Sequence, residues 1–268
     1  MKKSTIIRIM LVCIAFVAFS NGCGKKSIKD YSVKPVPFTN VHVDDDFWLP
    51  RMEINNRVTI PFAFKKSEET GRIDNFAVAG GLKEGTFSGI YPFDDTDVYK
   101  ILEDASYSLS LYHDPELEKY LDDLILKITA AQEDDGYLYT ARTINPDPPI
   151  QWVEKERWAN LRMSHELYNA GHLYEAAVAH FQATGKRTLL EVAIKNADLV
   201  ESVFGPGKRH GAPGHQVIEI GLAKLYRVTG REKYLKSKQQ FTSSNYYLKT
   251  SLAAYRGKKH RFLTWRVS

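Results

Sequence analysis

The chain has 268 residues, 43% of them hydrophobic, and a formal net charge of +5, which is enough for one domain with a sizeable core. The positive charge sits at the two ends: residues 1–26 hold five Lys/Arg and no acid, the stretch from Lys233 onward holds nine and no acid, and 23 basic groups are left against all 32 acids in between. So acidic a body repels phosphate and argues against a nucleic-acid partner, and because Cys13 and Cys23 are the only cysteines, the body holds no disulfide and no thiolate metal site.

At the N-terminus Lys2, Lys3 and Arg8 precede an apolar run from Ile9 to Phe19, and Ser20, Asn21 and Gly22 precede Cys23. Charged, apolar and small-residue zones in that order predict a signal peptide over residues 1–22, and the run is too short to cross a bilayer comfortably. A cysteine at the end of such a run is where bacterial lipoproteins are acylated. Cys23 is therefore the expected lipidation site, residues 23–36 a polar tether, and the periplasm or outer membrane the location; plain secretion with a free Cys23 is the alternative.

After an irregular entry through Pro35, Pro37 and Asp44 to Trp48, apolar residues recur at helical steps in Val98, Ile101, Leu102, Ala105 and Leu109, and again in Leu117, Leu121, Leu124, Ile125 and Ile128. Asp114 and Pro115 between them supply an N-cap and a proline at the first helical position. Asp97 reads equally well as the cap of the Val98 helix. Further along, Thr184-Gly185 closes a helix beginning near Ser164, and Thr229-Gly230 closes one beginning near His215; the two turns lie 45 residues apart. That is the period of a repeated helical hairpin, in an open solenoid or a closed toroid. The segments Gly80 to Asp97, Asp134 to Trp158 and Phe204 to Gly214 are long and rich in Gly, aromatic and Asp residues, as segments that build a site are. Residues 236–268 have a basic-aromatic composition unlike the rest, which reads as an aberrant tail behind an interrupted or frameshifted gene, or as a basic interaction tail.

The densest chemistry-bearing run is Arg162 to His172, continuing to His180. On a helix His165 and His172 share a face but stand roughly 10 Å apart along the axis, so they cannot chelate one metal, and the i, i+4 pair of a zinc helix is missing. They form either a polar stripe for sugar hydroxyls or structural histidines satisfied by backbone or carboxylate. His215, in Gly211-Ala212-Pro213-Gly214-His215, is either a ligand residue at a helix mouth or a cap. Asp94, Asp95, Asp97, Glu166, Glu175 and Glu219 are the carboxylates from which an acid and a base of glycoside hydrolysis would be drawn, and spacing singles out none of them.

Four segments in order carry a resemblance: Phe93-Asp94-Asp95-Thr96-Asp97-Val98-Tyr99-Lys100, Ala131-Gln132-Glu133-Asp134-Asp135-Gly136-Tyr137-Leu138, His165-Glu166-Leu167-Tyr168-Asn169-Ala170-Gly171-His172-Leu173 and Pro213-Gly214-His215-Gln216-Val217-Ile218-Glu219. From Pro37 to Leu235 the chain is similar to glycoside hydrolase family 127, the β-L-arabinofuranosidase family. The resemblance implies an all-α, incomplete (α/α)6 barrel, a toroid of helical hairpins, truncated before the second half of the ring and the β-domains. It also implies an exo-acting retaining hydrolase of arabinofuranosides, with His165 and His215 as sugar-binding residues and an arabinose-containing oligosaccharide or glycan as partner. The family's cysteine nucleophile, its cysteine-and-glutamate zinc site and its acid/base glutamate belong to a region this chain does not contain. The expectation is an inactive, truncated form without catalytic residues or metal of its own. A non-catalytic glycan-binding surface lipoprotein, and a toroid hydrolase or lyase of uronides, are the competing readings.

Overall fold

A computed structural model describes residues 33–147, 150–205 and 207–243. The signal peptide, Cys23 and most of the expected tail lie outside them. Among the described residues there is no β-strand, and beyond residue 37 the architecture is a succession of helices. These are α1 (Trp48–Ile54), continued through a π turn at Asn55–Thr59 into α2 (Ile60–Glu69), then α3 (Arg72–Ala79), α4 (Asp95–Leu109) and α5 (Pro115–Ala131). There follow the short α6 (Thr140–Ile144), α7 (Glu166–Thr184), α8 (Thr188–Val203), α9 (Val217–Thr229) and α10 (Glu232–Ser243).

The long helices fall into two layers. In one, α2 packs on α4, α4 on α7 and α7 on α9; in the other, α3 packs on α5, α5 on α8 and α8 on α10, so that each successive hairpin gives one helix to each layer. This is the arrangement of an incomplete (α/α)6 barrel. At the centre α7 has twelve of its nineteen residues buried, as a helix flanked by α4, α8 and α9 must. Small side chains allow the close approach. A β-carbon on Gly171 would stand 2.6 Å from the backbone nitrogen of Ile218, and one on Gly221 would stand 2.8 Å from the Gly171 oxygen, so α7 and α9 cross in backbone contact.

Tight turns close the hairpins at one end. Gly185 and Gly230 end their helices at φ of 74° and 68°, and each donates its N–H at 2.8 Å to the carbonyl four residues back, on Phe181 and Tyr226. Thr184 and Thr229 donate their hydroxyls to the carbonyls of His180 and Leu225 at 2.7 Å. A third turn of the same kind is Thr70-Gly71, between α2 and α3, with Gly71 at φ 76° and Thr70 donating to Lys66 O at 2.6 Å. The α4–α5 turn uses the expected alternative: Asp114 caps by accepting from Leu117 N at 2.9 Å, with Pro115 at the first helical position.

Three helix starts differ from expectation. α4 opens at Asp95, so Asp97 lies in its first turn, where its Oδ2 accepts from Arg72 Nε at 2.9 Å instead of capping. α7 opens at Glu166 and α9 at Val217, leaving His165 and Gln216 at the N-cap positions with no side-chain cap bond. His215 is therefore not a helix cap.

Candidate functional site

Opposite the tight turns, the longer connections α3–α4, α5–α7 and α8–α9 converge and carry the aromatic and histidine residues. The loop before α9 is pinned to the segment before α7. Gly214 donates its N–H to Leu161 O at 3.3 Å, and a β-carbon on Gly214 would lie 2.5 Å from Arg162 O. This clasp brings His165 and His215, 50 residues apart in sequence, to 3.1 Å between their Nε2 atoms.

The tautomers follow from the partners. His165 Nδ1 lies 2.7 Å from Met163 O, and a carbonyl only accepts, so Nδ1 carries the hydrogen and Nε2 a lone pair. His215 Nε2 is then the donor of the pair. Burial pushes the His165 imidazole below the usual histidine range, the bond to Met163 opposes this, and the neighbouring His215 adds to it. Aromatic rings wall the pair: Phe93 lies 4.6 Å from His165, and Tyr168 lies 4.8 Å from His215. Lys100 Nζ donates to the Tyr168 hydroxyl at 2.9 Å.

The backbone around His165 is over-determined. Trp152, Trp158 and His165, at φ of 68°, 67° and 61°, are the non-glycine residues with left-handed backbone among the described residues. Such strain persists only where surrounding bonds hold it. Here buried Glu166 supplies them: its carboxylate accepts from Tyr137 OH at 2.7 Å, Trp158 N at 2.9 and 3.1 Å, and Ser164 Oγ at 2.9 Å. Tyr139 donates its hydroxyl to Ser164 O at 2.6 Å. The Gln132-to-Tyr137 segment serves the same purpose, with Arg157 paired to Glu133 and Asp135, and Asn196 donating to Gly136 O at 2.8 Å.

Of the other candidate carboxylates, Asp95 and Glu175 are occupied structurally. Asp95, fully buried, accepts from Thr140 N at 3.0 Å and Thr140 Oγ1 at 2.5 Å, and burial raises it to about 6. Asp94 Oδ1 lies 3.5 Å from Arg72, while its Oδ2 is buried without a hydrogen bond among the described residues. Glu175 shares Lys224 with Glu103, at 2.7 and 3.1 Å, and Glu219 sits in the first turn of α9.

His172 and His180 are not satisfied in the manner expected of structural histidines. His172 Nδ1 is buried without a hydrogen bond and lies 3.8 Å from Glu175, and burial lowers its imidazole to about 4. His180 is fully buried with neither nitrogen bonded among the described residues. Among the described residues no group of three or more His, Cys, Asp or Glu side chains is placed to hold a metal, so these residues do not fit the zinc that the family resemblance implies.

Sequence reasoning did not single out Phe93, Tyr168 or the two strained tryptophans. The aromatic richness of the long connections was the available signal.

A model of the GH127 β-L-arabinofuranosidase catalytic domain matches residues 40–259. A non-reducing end β-L-arabinofuranosidase of Bifidobacterium longum subsp. longum is 46% identical over 165 residues, covering 61% of this chain and 24% of that enzyme. A solved GH127 β-arabinofuranosidase is 50% identical with a TM-score of 0.75, covering 80% of this chain and 34% of its own. The GH127 β-L-arabinofuranosidase Ara127N of Geobacillus stearothermophilus T6 is 42% identical with a TM-score of 0.71, covering 83% and 36%. The chain spans about a quarter of the curated relative and about a third of the solved ones. It belongs to glycoside hydrolase family 127, within the β-L-arabinofuranosidase catalytic domain.

Proposed function

We propose that this chain recognises the terminal arabinofuranosyl unit of an arabinose-containing glycan, as part of a glycoside hydrolase of the β-L-arabinofuranosidase type, and that it does not cleave the glycan alone. The observation that carries the reading is the 3.1 Å approach of His165 Nε2 to His215 Nε2 between aromatic walls. One nitrogen accepts and the other donates. A sugar hydroxyl does both, so one hydroxyl can replace the contact between the imidazoles by accepting from His215 and donating to His165. The rings of Phe93 and Tyr168 suit the apolar C–H surface of a furanose, and few polar groups in an aromatic setting are what a small-molecule site needs.

The groups at hand support recognition without turnover. Glu166 and Asp95 are held by buried donors, Glu175 is paired with Lys224, and the sequence has no cysteine after Cys23. Titration calorimetry of the purified chain with methyl β-L-arabinofuranoside should show binding that His165→Ala and His215→Ala each abolish, with no arabinose released. Absence of binding to a folded chain would sink the recognition reading. Arabinose release that disappears in His165→Ala would sink the claim of inactivity.

The second reading, a non-catalytic surface lipoprotein, draws on the same pair, because both histidines come from this chain. It requires acylation of Cys23, which mass spectrometry of the exported protein decides.

A further inference from the structure

The aromatic rings continue outward past the histidine pair. Phe93, 4.6 Å from His165, stacks on Tyr91 at 5.2 Å with planes 15° apart, and Tyr91 stacks on Trp152 at 6.0 Å with planes 5° apart. Around buried Trp158 the rings meet edge to face, with Tyr137 at 84° and Phe204 at 86°. The outer rings are instead parallel and offset, which leaves part of each flat face uncovered. They are also not core residues, since Tyr91 is 43% exposed and Trp152 half-buried.

Each ring of the outer pair is held by its own loop. In the α3–α4 connection, buried Asn75 clasps Ser88 through both amide atoms at 2.8 Å. A β-carbon on Gly89 would strike the Asp94 carboxylate at 2.2 Å, and Asp94 N donates to Tyr91 O at 3.3 Å. In the α5–α7 connection, Trp152 keeps a left-handed backbone, φ 68°, that bulky L residues avoid. Buried Val153 beside it donates to Ile150 O at 3.0 Å. Strain retained at a half-exposed tryptophan, rather than relieved by a glycine, points to a use for the indole.

We propose that Tyr91 and Trp152 form a second sugar platform, which stacks the residue following the arabinofuranosyl unit on the leaving-group side of the glycan. The proposal rests on the assignment of His165 and His215 to the terminal sugar. From that pair the platform is reached along one unbroken line of rings through Phe93. A flat apolar face at the rim suits a sugar ring whose hydroxyl edge stays in water, and stacking tolerates different sugars because each pyranose or furanose offers a C–H face.

The test compares methyl β-L-arabinofuranoside with a β-linked arabinofuranosyl disaccharide, by titration calorimetry on the full chain. The disaccharide should bind more tightly than the methyl glycoside. Trp152→Ala and Tyr91→Ala should each cut that preference by on the order of tenfold, the scale of a truncated aromatic hot spot. Trp152→Phe should retain most of it. Trp152→Gly guards against a folding artefact, because it relieves the backbone strain and should lose the preference without a lower melting temperature. Should Trp152→Ala and Tyr91→Ala keep the full preference while His165→Ala abolishes binding of both sugars, the platform is overturned and the terminal-sugar assignment stands. Should the folded wild-type chain bind neither sugar, the terminal-sugar assignment falls and the platform with it.

Discussion

His165 occupies a backbone conformation, φ 61° and ψ 24°, that a β-carbon makes costly by roughly 1–2 kcal/mol. Retaining histidine there is understandable only if the imidazole is used, and the consequence is measurable. His165→Gly and His165→Ala should both abolish arabinofuranoside binding, while the glycine variant unfolds at a higher temperature than the alanine variant by the equivalent of about 1 kcal/mol; equal melting temperatures would contradict the strain argument. Titration offers a second residue-scale expectation, in which two groups oppose each other. Asp95 takes up its proton near pH 6 folded and 3.8 unfolded, so between those values the folded state binds more protons and stability falls as pH rises, by up to about 3 kcal/mol. His172, at about 4 folded and 6.5 unfolded, does the reverse: its contribution is present above pH 6.5 and is lost as pH falls towards 4. Asp95→Asn should make the melting temperature climb more steeply between pH 4 and 6, and His172→Gln should flatten it. Calorimetric scans of the three proteins across that range check both signs. Burial decides these shifts, and burial at one position is not readable from composition or spacing, which is why the sequence left six carboxylates unranked.

At the scale of elements, what was legible is what repeats locally. The Thr-Gly turns of α7–α8 and α9–α10 and the Asp114-Pro115 start of α5 follow from short-range chemistry, and the structure keeps all three. Thr70-Gly71 has the same chemistry but closes a helix whose pattern is interrupted. Polar Asn55 and Asn56 lie mid-helix, and Pro61 follows in the first turn of α2. The π turn absorbs the irregularity and turns both asparagines to α4, where Asn55 donates to Asp104 at 2.9 Å and Asn56 to Ser108 at 2.7 Å. The helices expected to start near Ser164 and His215 start two residues later, at Glu166 and Val217, with no side-chain cap bond to mark either start. Glycine shows the same division between local and distant causes. Gly185→Ala meets nothing within 4 Å and should cost only its left-handed backbone, about 1 kcal/mol. Gly171→Ala has ordinary helical geometry but must push α9 off α7, against the Ile218 nitrogen at 2.6 Å. It should cost about 3 kcal/mol or more, as overpacking does, and weaken arabinofuranoside binding by displacing His215. Denaturant melts rank the two variants, and a Gly185→Ala variant less stable than Gly171→Ala would refute the crossing argument.

For the whole molecule, helical periodicity established hairpins but not their closure into a toroid. That came from the resemblance, since solenoid and barrel share local patterns and differ in the small angle between successive hairpins. The histidine pair was likewise reached through the resemblance, because a separation of 50 residues carries no signal until the Gly214 clasp is seen. One feature at this scale escaped the sequence altogether. Phe47 at the start of α1, Ile54, Val58 in the π turn and Phe62 on α2, exposed by 54, 58, 59 and 59%, recur at helical spacing along one face. Read as a pattern they look like a core-facing stripe, and such a run of large apolar side chains in water drives association. Salt screens the attraction between the basic ends of one copy and the acidic body of another, so association that persists at high salt belongs to the stripe, and the chain should self-associate there. The Ile54→Lys, Val58→Lys, Phe62→Lys triple variant should be monomeric by size exclusion with light scattering, at a melting temperature within a few degrees of wild type, because no buried contact is removed. A wild-type chain that stays monomeric at high salt would show that the stripe is tolerated in water, and a triple variant that unfolds would show that it packs against the body after all.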